Sequence, residues 1–217
     1  MDIDKIIGVI NSAFGENEYP GDDCLVGSKD GCEPMDEILP FIGRTDWKAV
    51  EPHVLDSHSG ALNFFSEAGL RFFIPSYLVA DLKEQLNSAD PVFILTHGFS
   101  NLAVTHKIGD QEYFRETGKD AFINPRRYGA LTFGDYACYR LSVFTCEEAG
   151  AIAKYLEHKR DKDMDGFDRD QIETALDSFW YERSKSAPRY QDINDHLRAE
   201  NEYLGALLAN QDDTTLS

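Results

Sequence analysis

The chain has 217 residues, with 39 acidic against 21 basic, and a formal charge of −18. Such a field repels nucleic acid and anionic membrane surfaces and favours a basic partner. Hydrophobic residues make up 42% and aromatics 12%; at this length a chain buries about 70% of its unfolded surface, so the core needs no disulfide or metal staple.

The opening MDIDKIIGVI is acidic and has no basic stretch before its apolar residues, which is not the pattern of a secretory signal. The most apolar stretch, 68–82, contains Arg71 and Pro75 and falls short of the roughly 18 apolar residues a membrane span needs. A cytoplasmic protein without a membrane anchor is expected. The cysteines at 24, 32, 138 and 146 form pairs eight apart, which suits reduced thiols and matches no common zinc knuckle.

Residues 3–14 place Ile3, Ile7, Ile10 and Phe14 on one helical face, with Ile6, Val9 and Ala13 beside it. A Gly- and Asp-rich loop follows, in which Tyr19-Pro20-Gly21-Asp22 fits a type II turn with Gly21 at positive φ. Residues 33–42 read as a helix interrupted near Pro40, and Pro52 starts another running to about Leu62.

The centre of the chain is GALNFFSEAGLRFFIPSYLVADLK at 60–83. Ser66 is a natural N-cap. Leu70, Phe73, Ile74, Tyr77, Leu78 and Leu82 follow one helical face, while Phe72 and Val79 make another apolar, so this helix is buried nearly all round. Pro75 removes the bond to the carbonyl of Arg71, which must find another donor.

Asp90 and Pro91 begin a helix that Gly98 stops. Residues 100–132 read as loop with short elements, and 136–144 fit either strand or helix. Thr145 and Glu148 form a capping box for a helix to about Lys159. Asp168 caps a further helix carrying Ile172, Leu176, Phe179 and Trp180. Residues 184–188 read as a linker to a last helix, marked by Ile193, Leu197 and Leu204, with a polar tail from Gln211. The expected fold is mostly α: a single-domain, bundle-like helical globule around a buried, proline-kinked helix, with at most a small strand pair. Residues 1–183 form the domain; 184–217 supply the linker, an amphipathic helix and the tail.

Several of these segments resemble a group of uncharacterised bacterial proteins, a domain of unknown function. The resemblance rests on YPGDD at 19–23, Trp47, ALNFFSEAGLRFFIPSYLVADL at 61–82, ADPVF at 89–93, NPRRYGALTFGDY at 124–136, RLSVFTCEEAGAIAKYLEHKR at 140–160 and FDRDQIETALDSFW at 167–180. It covers about residues 18–183. It implies that the turn, the central helix and the Thr-capped helix form one recurring domain, and it carries over no catalytic residue. Where the group's central run reads PEAFRYYLPAYL, this chain has Glu67-Ala68-Gly69, with glycine in place of a bulky residue.

Three functional readings follow. The first is a non-enzymatic protein-binding module that takes a basic partner on its acidic surface, in grooves beside the aromatic helix. The second is a calcium module at 161–173, where Asp161, Asp163 and Asp165 precede Gly166 as in the first half of a calcium loop, with Glu173 as the closing carboxylate. The second half departs from the pattern: Asp168 occupies an apolar position, Ile172 stands where the bidentate glutamate belongs, and Glu173 comes one residue late. The third is an enzyme using His58, Asp81 and His97 beside the central helix. Phosphate-loop and dinucleotide glycine patterns are absent from the sequence, as is the elbow an α/β-hydrolase needs after its strand.

Overall fold

A computed structural model describes residues 2–27, 32–99, 103–108, 111–116, 137–138 and 140–214. The described part is a mostly helical globule. In chain order it comprises α1 (Ile3–Ala13), a 3₁₀ turn (Asp22–Cys24), α2 (Glu33–Ile38) with a 3₁₀ turn (Leu39–Phe41), and a further 3₁₀ turn (Trp47–Ala49). There follow α3 (Pro52–Ser57), α4 (Ala61–Phe64), α5 (Glu67–Leu82) and α6 (Pro91–Thr96). Strands β1 (Ala103–Ile108) and β2 (Gln111–Glu116) come next. The chain then forms α7 (Cys146–Lys162), α8 (Arg169–Ala175), a π turn (Leu176–Trp180), α9 (Tyr181–Arg183) and α10 (Tyr190–Thr214). The strands form an antiparallel ribbon in which Ala103 faces Glu116 and Ile108 faces Gln111. That pair falls in the stretch read from sequence as loop with short elements; the remainder of 100–136 lies outside the described residues. No described helix is long and apolar enough to cross a membrane.

Helix α5 is the axle the sequence predicts. The Ser66 hydroxyl accepts the Gly69 amide at 3.0 Å, and every α5 residue except Val79 and Asp81 is buried. Phe41, Phe65, Phe72 and Phe73 meet around it mostly edge to face, with ring centres 4.8–5.2 Å apart, the geometry that aromatic quadrupoles favour. Gly69 has a packing reason. A β-carbon there would lie 2.8 Å from the Leu25 carbonyl oxygen, because the 25–27 segment crosses the start of α5 through the Ser66 amide and an isolated Val26–Phe65 bridge.

Some expectations need correction. The helix predicted from Pro52 to Leu62 breaks at His58–Gly60, where the His58 carbonyl accepts the Ala61 amide and the chain restarts as α4. Gly21 has the expected positive φ of 95°, but its ψ of 151° is extended, so the chain enters the 3₁₀ turn directly and does not close a type II turn. Asp168 makes no side-chain cap for α8. The cap comes from Asp163, whose carboxylate accepts the amides of Gly166, Asp168 and Arg169. On α1 the buried stripe is Ile6, Ile10 and Phe14, one step from the face first drawn. The described residues 137–138 and 140–141 are helical.

Candidate binding cleft

Two facts of local chemistry meet on one wall of α5. Pro75 has no amide, so the Arg71 carbonyl loses its helical donor. The Nδ2 of Asn17, in the segment that follows α1, donates to that carbonyl at 3.2 Å. The Arg71 side chain leaves the same turn and is buried against the capping-box glutamate of α7. Its Nε lies 3.1 and 3.0 Å from the two Glu148 carboxylate oxygens. Nη2 sits 3.0 Å from Oε1 but too obliquely for a hydrogen bond. Glu148 Oε2 also accepts the Thr145 amide at 2.8 Å, so one carboxylate closes the helix start and neutralises the arginine. A buried charge of either sign alone would be costly; the pair keeps both in place.

Helix α10 covers the pair from the far side. Asn194 Oδ1 accepts from Arg71 Nη1 at 3.5 Å, the Tyr190 ring lies 5.2 Å from the guanidinium carbon, and His196 Nε2 is 3.3 Å from Glu67. Ile193 is fully buried beneath it.

Two clefts open on either side of this layer and share Asn17 and Tyr190. The first, about 570 Å³, has walls of Tyr19, Phe72 and Tyr190, with Arg71, Asn194 and Asn201 among its polar lining. The second, about 640 Å³, runs between α1 and α7 and is lined by Val9, Ala13, Ala151 and Lys154. Both volumes lie in the range of ligand sites. Exposed Glu18 and Glu202 edge the first cleft, and exposed Glu16 and Glu147 edge the second. Arg198, also on the first rim, is held by Asp195 at 2.7 Å.

The YPGDD turn fixes the mouth of the first cleft. The Tyr19 hydroxyl donates to Asp22, and the Gly43 amide donates to both, at 3.1 Å to the tyrosine and 2.9 Å to the aspartate. Burial, then the Asp22 hydrogen bond, pushes the Tyr19 hydroxyl up to about 12, so it stays a donor at neutral pH.

The other predicted positions lie elsewhere. Asp161 pairs with Arg160 beside it, Asp165 is exposed, Glu173 is exposed on α8, and Asp163 is committed to backbone amides. Burial works against the charge on Asp163, yet the amides of Asp168, Arg169, Phe167 and Gly166 together hold its carboxyl below the usual range. Among the described residues no three His, Cys, Asp or Glu side chains gather as a group able to hold a metal. Asp81 accepts from Tyr155 at 2.6 Å and pairs with Lys159 at 3.0 Å; His97 is exposed and stacks on Phe93; His58 ends α3. Neither cleft is lined by any of these three.

Asn17, Glu148, Tyr190 and Asn194 were not singled out as site residues by sequence reasoning. One signal was available: Arg71, a cation in the middle of a helix apolar on every face, requires a buried partner. Compared with known proteins, the chain matches no family model, no curated protein and no solved structure.

Proposed function

We propose that the chain is a non-enzymatic binding protein of the bacterial cytoplasm, which takes a basic segment of a partner protein in the two adjoining clefts beside α5. The observation that carries this reading is the joined pair of clefts with glutamates on both rims, Glu16, Glu18, Glu147 and Glu202, on a chain of charge −18. Rim carboxylates of this kind steer a cationic partner and set its register, while the apolar side chains among the lining supply burial. The Arg71–Glu148 pair fits the role of floor and not of reagent, because each group is already held by the other.

The test is fluorescence polarisation with a labelled peptide of alternating Lys and Leu. Saturable binding that weakens with added salt is expected, with a loss of about tenfold, or ~1.4 kcal/mol, in a Glu16→Lys/Glu147→Lys double variant. Equal affinity for a Glu-for-Lys counterpart, or no saturation at any accessible concentration, overturns the reading.

A further inference from the structure

We propose that the first cleft recognises a proline-rich segment in the polyproline II conformation, flanked by Lys or Arg; this rests on the basic-segment reading above and names the form the segment takes. Three observations converge. The walls are aromatic: Tyr190 is exposed and Tyr19 half-buried against the buried Phe72, and rigid pyrrolidine rings pack against such walls at little cost in entropy.

The second observation is a pair of amides on one helix. Asn194 and Asn201 both line the cleft and stand seven residues apart on α10. Seven residues are two helical turns, which puts them on the same face about 10 Å apart. Arginine only donates, so Asn194 gives its Oδ1 to Arg71 and keeps its Nδ2 as a donor for another acceptor. The Asn201 side chain makes no hydrogen bond to the other described residues. Two donors at this spacing select among ligand backbones. Carbonyls on one side of a polyproline II chain recur about every 9.3 Å, within reach of both amides. On one side of an extended strand they recur about every 6.8 Å, out of step with them. A helical ligand keeps its carbonyls in its own ladder. The third observation is charge: exposed Glu18 and Glu202 bracket the cleft and offer carboxylates to a flanking cation.

The experiment compares two labelled peptides of equal charge, Arg-Pro-Leu-Pro-Pro-Leu-Pro and the same sequence with every Pro replaced by Ala, by fluorescence polarisation against the full chain. The expected result is at least about tenfold tighter binding of the proline peptide. Asn201→Ala should remove about fivefold or more of that affinity while leaving the thermal midpoint in place, and Tyr190→Ala, whose ring also lies over the Arg71 guanidinium, should remove as much affinity with a lowered midpoint. Equal binding of both peptides overturns the polyproline form and leaves the basic-segment reading standing. Failure of both peptides to bind overturns the two together. A proline preference untouched by either substitution overturns the assignment to this cleft.

Discussion

Glu148 shows how much a single side chain carries here. It closes the capping box of α7, takes both contacts from Arg71, and lies on the floor of the second cleft. Glu148→Ala strands a buried guanidinium and opens the helix start, and is expected to cost ~3–5 kcal/mol in urea denaturation. The double variant Arg71→Met/Glu148→Met removes both charges and should recover a large part of that loss, since an apolar pair of similar volume needs no mutual neutralisation. A double variant as unstable as the single would mean that packing, and not charge, sets the cost.

At the scale of elements, the instructive feature is the missing rung in α5. The Asn17 amide replaces the donor that Pro75 lacks. Asn17→Leu should cost about 1–2 kcal/mol, the penalty of leaving a carbonyl unpaired. Adding Pro75→Ala restores a backbone donor, so the second substitution should return part of the stability, a coupling that a double-mutant cycle in urea would measure. Much of this element was legible in the sequence: Ser66 as cap, the all-round burial, Asp90-Pro91 as a helix start and the Thr145–Glu148 box each follow from short-range chemistry. What escaped was long-range. Nothing near Asn17 in the chain announces a partner 54 residues away, and nothing near Glu148 announces one 77 residues back. The α3–α4 break escaped because its cause, the His58 carbonyl turning to the Ala61 amide, competes with the helix on nearly equal local terms. In the acidic loop after α7, Asp163 serves its own backbone amides, a use that shares its residues with a calcium loop.

For the whole molecule, charge and hydrogen bonding pull stability in opposite directions as pH falls. Between about pH 7 and 5 the molecule begins to lose negative charge from its −18, which relieves self-repulsion and should raise stability slightly. Below that range the native carboxylate bonds are lost. The amides of Ser88 and Asn87, with that of Ala89, hold Asp56 down at about 2 from its ordinary 3.8. A carboxyl depressed in the folded state contributes its stability above 3.8, and that contribution disappears as pH drops toward 2. The expected profile by thermal melting is a shallow maximum near pH 5 and a steep acid limb. Asp56→Asn should lower the melting point at pH 7 and flatten the limb between pH 4 and 2; an unchanged limb would contradict the assignment.

The carbonyl of Arg71 has one more consequence. It belongs to the core helix, yet the hand that holds it belongs to the cleft wall. Anything that draws Asn17 toward a guest releases a backbone group at the centre of α5, and anything that stiffens α5 sets Asn17 in place. The cleft wall and the axle therefore share one hydrogen bond, read at two ends of a single amide.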